Sequence, residues 1–311
     1  MSHALVHPNF IEGSDTRNQV LQNLVVAKFG GSAVGIDGSL IPTIIKRINE
    51  LKKDSKVIAV FSAPLTTHNG RQRSLTDITL EIGKKAENGQ SVDIEELREP
   101  YLKILSLVNR NLQDECKKTI ESFLEKASRS FEEALQKKEF ANETRARALA
   151  YSGEILMSNI MSYVLKSAGI KSDVVSFDIW PIVTDENIES ANFLATQSFE
   201  NLEGIESLLE RNDVISIGGF IGKTTSGLET TYERGGSDRT AADLGILFSK
   251  KYNTKIDFEK DSAVLSADPR VVKEELEYIT HNVRHQYLAR VCKSPRPGFI
   301  CKFLFLQCLF K

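Results

Sequence analysis

Thr230-Thr231-Tyr232-Glu233-Arg234-Gly235-Gly236-Ser237-Asp238 sets a guanidinium, two glycines, a hydroxyl and a carboxylate within a few residues. It runs into Thr240-Ala241-Ala242-Asp243-Leu244-Gly245-Ile246-Leu247-Phe248, whose apolar spacing reads as a helix. This order describes an anion-handling loop at a helix N-terminus, where backbone N–H groups and the helix dipole point at a bound negative group. A second glycine pair lies far upstream. Val25-Val26-Ala27-Lys28-Phe29 is an apolar strand candidate that runs into Gly30-Gly31-Ser32-Ala33-Val34. Glycines there let a polyphosphate approach the backbone, and the Lys28 ammonium offsets charge on a transferred phosphoryl group. The plain alternative, a tight strand-to-helix turn with a solvated Lys, loses ground because both glycine pairs occur in one chain.

Between them lies Gly218-Gly219-Phe220-Ile221-Gly222-Lys223-Thr224, which imitates a phosphate-binding P-loop until the spacing is counted. A Walker A motif needs glycine at position 217, and the residue is Ile217. The segment reads instead as a buried strand, Val214-Ile215-Ser216-Ile217, ending in a glycine turn, with Lys223 and Thr224 exposed.

The strands alternate with helices. Strand candidates at 25–29, 57–62, 173–177 and 214–219 interleave with helical stretches at 39–53, 76–88, 143–168 and 238–250, as an α/β three-layer sandwich with a mostly parallel central sheet requires. Such a sheet binds ligands beyond the carboxyl ends of its strands, where Lys28, Gly30 and Gly219 fall. Arg147 to Lys166 reads as part of one long helix, and the charged stretch from Asp93 to Lys138 as an inserted helical hairpin, a lid or an oligomer contact.

These segments resemble the aspartate kinase family, which has the amino-acid kinase fold. Lys28 to Val34 is similar to the family's KFGGTSV, Gly219 to Gly222 to its GFIG, and Thr230 to Asp238 to TTLGRGGSD, with Glu233 in place of a glycine. Ala150-Tyr151-Ser152-Gly153-Glu154 resembles the motif ending in GE, and Ser266-Ala267-Asp268-Pro269-Arg270 resembles TADPR. The motifs keep family order from about residue 25 to 272. The resemblance implies transfer of the ATP γ-phosphate, with Mg²⁺, to the β-carboxylate of L-aspartate, opening the route to lysine, threonine and methionine.

The same resemblance supplies roles. Lys28 stabilises the transferring group and Asp238 organises the lysine side of the site; both are the expected catalytic residues. Glu154 and Arg234 hold the amino acid, with Ser62, Gly235, Gly236, Ser237 and a threonine beside them. That threonine is Thr76, followed by Asp77 and also a helix-capping candidate, or else Thr67 in the inserted loop with Arg71 and Arg73. ATP is expected to meet Phe29, Gly30, Gly31 and Ser32, and, in a stretch that departs from the family pattern, Glu259, Lys260, Leu265 and Arg270.

Chemistry points the same way without the name. A carboxylate acceptor is ionised at neutral pH, its pKa being about 3.9, so phosphorylating it needs no general base. What the reaction needs is positive charge and donors around the phosphates and an acceptor held in line.

Composition excludes other classes. The 311 residues, 41% hydrophobic and 26% charged, are enough for a full core, and a formal net charge of −2 gives no electrostatic case for nucleic acid. Residues 1–24 read as a polar leader without a secretory core, 25–275 as the catalytic domain, and 276–311 as an atypical tail without the family's ACT domains. The tail's apolar run, Phe299 to Leu306, is too short to span a bilayer, which takes roughly 20 residues. Four cysteines without ligand spacing suit a reducing cytoplasm. His281 and His285 lie four apart but have no third ligand at useful spacing. A homo-oligomer is left open, and a non-catalytic kinase-fold subunit with a binding or assembly role remains the alternative reading.

Overall fold

The computed structural model describes residues 21–259 except 69 and 234. The calls on Arg234, Lys260, Leu265, Arg270, the leader before residue 21, the histidine pair and the tail therefore lie outside the described residues. In chain order, β1 (Asn23–Phe29), a single turn α1 (Gly31–Val34), α2 (Ile41–Leu51) and β2 (Lys56–Phe61) come first. A hairpin follows, β3 (Leu65–His68) and β4 (Arg71–Ser74). Five helices come next: α3 (Leu75–Glu87), α4 (Glu95–Leu105), α5 (Arg110–Lys137), α6 (Asn142–Ser152) and α7 (Glu154–Ser167). The chain continues through β5 (Ser172–Val174), β6 (Val183–Thr184), α8 (Ala195–Glu200), α9 (Glu203–Arg211), β7 (Val214–Gly218), β8 (Ile221–Thr224), β9 (Glu229–Thr231), α10 (Gly236–Phe248) and β10 (Asn253–Glu259).

The main sheet has the order β10-β1-β2-β7-β5, and every pairing in it is parallel. Leu24 to Phe29 and Val57 to Phe61 are all buried, as strands covered on both faces by helices must be. Phe29 stacks on Phe61 at 5.4 Å between ring centroids, so the side chain expected near ATP belongs to the core. A smaller sheet, β6-β8-β9, lies beside it. It corrects the expectation for Lys223 and Thr224. Thr224 is buried, and Lys223 Nζ donates to the carbonyls of Phe177 and Asp178 at 2.9 and 3.1 Å.

Three further expectations change. The stretch 143–168 is two helices, broken at Gly153 (φ −121°, ψ −110°). A Cβ there would lie 2.7 Å from the Leu149 carbonyl oxygen, so only glycine accepts this break. The expected strand at 173–177 ends at Val174, and Phe177 opens a short 3₁₀ turn. Helix α3 is capped by Ser74, whose Oγ accepts from Asp77 N–H at 3.1 Å, which leaves Thr76 inside the first turn and not at the cap.

The inserted hairpin is α4 and α5. Cys116, Ile120, Leu124, Ala127, Phe131 and Ala134 form the buried stripe of α5, and buried Tyr101 on α4 donates to the Ser152 carbonyl at 2.7 Å. Burial pushes the Cys116 thiol up to about 12, which makes it inert packing. The hairpin thus packs into the body of the fold and holds the end of α6, next to the Gly153 break.

Candidate active site

A lysine closes β1 for a reason visible in its surroundings. Lys28 is buried, and a buried ammonium needs a partner; its Nζ lies 2.8 Å from Asp238 Oδ1 in the first turn of α10. A Cβ on Gly30 would stand 2.9 Å from that Nζ, and one on Gly31 would stand 2.8 Å from the Ala63 carbonyl oxygen. The glycine turn therefore packs against the ammonium at a distance that no side chain at position 30 would allow.

The glycine pair that imitated a P-loop has a different task. A Cβ at Gly218 would meet the Glu154 carbonyl carbon and oxygen at 2.8 Å, and one at Gly219 would meet Ser237 Cβ at 2.6 Å. The end of β7 is thus where two helix N-termini dock, α7 beginning at Glu154 and α10 at Gly236. Both dipoles bring positive potential to the same end of the sheet as Lys28. The loop before α10 is held open by Gly235, whose φ of +85° is the left-handed region. It is pinned from behind: Tyr232 OH donates to the buried Asp243 at 2.7 Å, and Arg239 lies over the Tyr232 ring. Burial pushes the Asp243 carboxyl up to about 7.

Glu154 is 5% exposed, and its Oε2 has no hydrogen-bond partner among the described residues. Burial raises its pKa to about 7, opposed by backbone N–H groups of Glu154 and Ala63 and by the Lys28 charge. The folded chain thus keeps a proton between pH 4.5 and 7 that the unfolded chain releases, and this carboxyl's contribution to stability declines as pH rises through that window.

These groups share one cavity of about 680 Å³. It gathers the expected Lys28, Ser62, Thr76, Glu154, Gly235, Gly236, Ser237 and Asp238, and adds Ser74, Asp77, Arg145, Glu189, Ser190, Tyr232 and Glu233, which sequence reasoning missed as site residues. Arg145 lies on α6 one turn before Leu149, another lining residue, so its spacing from the GE motif was the available signal. Glu189 sits in a loop with no periodicity to betray it. Thr67, the other threonine considered, is exposed on β3 and does not line the cavity, and Arg73 is occupied by Glu81 at 2.7 Å. Gly30, Gly31 and Ser32 form the adjoining turn and do not line the cavity. Glu259 lies apart, held by Arg47 Nε of α2 at 2.6 Å.

The carboxyl end of a parallel α/β sheet thus gathers a lysine–aspartate pair, a glycine turn and two helix N-termini beside a buried acid. The amino acid kinase family profile matches residues 23–285, and the chain belongs to that family. It is 32% identical to aspartokinase 1 of Bacillus subtilis over 122 residues, 39% of this chain and 28% of that protein. It is also 27% identical to chloroplastic aspartokinase 1 of Arabidopsis thaliana over 257 residues, 80% of this chain and 42% of that one. The fold matches Escherichia coli aspartokinase III, solved with aspartate and ADP, at a TM-score of 0.65 and 20% identity, covering 81% of this chain and 52% of the other. Clostridium acetobutylicum aspartate kinase matches at 0.59 and 22%, covering 82% and 51%. The chain spans about half or less of the length of these relatives. Among the described residues no helix is long and apolar enough to cross a membrane.

Proposed function

We propose that this chain phosphorylates the β-carboxylate of L-aspartate with ATP, in a cytoplasmic setting, at the head of the route to lysine, threonine and methionine. The observation that carries the reading is the Lys28–Asp238 pair at 2.8 Å in one cavity with the buried acid Glu154. The aspartokinase names of the relatives, and the aspartate and ADP bound to a structural neighbour, support it.

The acceptor carboxylate arrives ionised, so the site's work is electrostatic and geometric. Lys28 faces the phosphoryl group as its charge redistributes, and Asp238 fixes that ammonium in one position. Glu154 takes the substrate ammonium. Ser237 and Thr76 donate to its carboxylates, and Arg234 joins them on the strength of the sequence alone. The turn at Gly30 and Gly31, which a side chain would obstruct, fits the nucleotide phosphates. Mg²⁺ would neutralise charge on those phosphates, from which, with water, it takes most of its ligands.

Trapping the acyl phosphate with hydroxylamine tests this on the 311-residue chain with ATP, Mg²⁺ and either L-aspartate or L-glutamate. Hydroxamate with aspartate alone is the expected result; none from a folded chain rejects it.

The acid at 154 adds a pH signature. Holding an ammonium requires the carboxylate, so the KM for L-aspartate should fall as pH rises toward 7, by up to about tenfold per unit, and level off above. In Glu154→Gln the slope should vanish and KM stay high; a slope that survives the substitution would place the titrating group elsewhere.

A further inference from the structure

The inserted pair α4–α5 reaches the edge of the site through one phenol. Tyr101 on α4 is fully buried, and its hydroxyl donates to two carbonyls at the break between α6 and α7, that of Ser152 at 2.7 Å and that of Gly153 at 3.2 Å. In an unbroken helix the Ser152 carbonyl would accept from the N–H four residues on; at the break a phenol from another element takes the donor's place. Helix α3 grips the same residue, with Thr79 Oγ1 2.7 Å from Ser152 Oγ. Glu154, the buried acid of the cavity, follows immediately, and its main chain rests on Gly218 from the sheet side. The start of α7 is thus held between β7 and the insert. The carboxyl itself is faced by the Lys28 ammonium of β1, which Asp238 of α10 pairs, and by the backbone N–H groups of Ala63 and of Glu154. Burial and then the Glu154 charge push the Tyr101 pKa well above its usual value, so the phenol stays a donor at every pH of interest.

We propose that Tyr101 is a positioning residue for the acceptor site: its hydroxyl fixes the backbone at the Gly153 break and, through it, the place at which the Glu154 carboxyl meets the substrate ammonium. The proposal rests on the aspartate reading of the cavity given above. It gives the insert a task at the site although no residue of α4 or α5 lines the cavity. Without the hydroxyl two carbonyls lose their donor, and water that replaces it loosens the start of α7. An acid held less deeply is better hydrated and ionises more readily, and a carboxylate displaced by an ångström holds its cation less well.

The test uses Tyr101→Phe, which keeps the ring and removes the hydroxyl, Thr79→Val, which releases the grip of α3 on Ser152, and Ile120→Val, which removes one carbon from the buried stripe of α5 and no hydrogen bond. Three quantities are read in each: hydroxamate kinetics, calorimetric binding of L-aspartate, and the NMR titration of the Glu154 carboxyl in a chain carrying ¹³C-labelled glutamate, its signal assigned with Glu154→Gln. Tyr101→Phe should raise the KM and Kd for L-aspartate about five- to tenfold, with kcat and the KM for ATP within about twofold. The Glu154 midpoint should fall from about 7 toward the ordinary carboxylate range, and the pH at which KM levels off should fall with it. Thr79→Val should show the same pattern at smaller size, which keeps the proposal testable if Tyr101→Phe does not fold. Ile120→Val should lower the melting temperature and leave the Glu154 midpoint and the aspartate affinity in place. An unchanged Glu154 midpoint in Tyr101→Phe, or the same changes in Ile120→Val, would overturn the assignment. If the wild type neither binds nor phosphorylates L-aspartate, the kinase reading fails, while the Glu154 titration still decides whether Tyr101 positions that acid.

Discussion

Replacing Lys28 by alanine should lower kcat by about a thousandfold while the KM for L-aspartate moves less than about threefold, because the ammonium meets charge that grows during transfer and does not hold the acceptor. The location supports the size. A cation 6% exposed acts in a medium where its field is weakly screened, and Asp238 prevents it from swinging away. Lys28→Arg should rescue little, since Gly30 leaves space for an amine and not for a wider fork. Steady-state kinetics with both substrates varied decides the matter. Equal changes in kcat and in the KM for aspartate would return Lys28 to an acceptor-binding role.

The second large effect is structural. Gly218→Ala should destabilise the fold by about 3 kcal/mol, the upper range for overpacking, because the added carbon collides with main-chain atoms of Glu154 and Ile155 and no rotamer can relieve that. The lost stability would appear in urea melts, and the KM for aspartate should rise with it as the start of α7 is pushed away. Gly227→Ala is the control: its φ of +94° carries strain, but nothing lies within 4 Å of the new atom. A Gly218→Ala variant within about 0.5 kcal/mol of wild type would show that the two helix N-termini do not need β7 at this distance.

Much of the arrangement was legible because it is local. β1 and β7 announced themselves as apolar runs before glycines and β2 as an apolar run before Ser62-Ala63, and the residues of the Arg234 loop carried their own helix signal. What stayed hidden is what long-range packing decides. The break at Gly153 was invisible to periodicity, since helical spacing continues on both sides; it follows from the docking of Glu154 on Gly218. β10 was missed because Lys255, Asp257 and Glu259 interrupt its apolar pattern, and it is a strand because β1 offers a parallel edge and Arg47 binds two of its acids. The Ser74 cap displaced Thr76 because the preceding hairpin decides where the helix begins. In the site, the glycine-flanked cation and the acids were readable, whereas Arg145 and Glu189 came together only through the packing of α6 against the loop before α8.

The partners of β1 also set a timetable for synthesis. Phe29 pairs with Phe61 on one side and with Glu259 on the other, so one flank closes soon after the strand emerges and the other waits for some 230 further residues. At ribosomal speeds of about 5–20 residues per second that interval is on the order of 10–50 s. Throughout it, an apolar strand that ends in Lys28 and Phe29 presents an open edge to any neighbouring nascent chain. A holding chaperone during translation should therefore matter more to the yield of this protein than any single contact in its finished core.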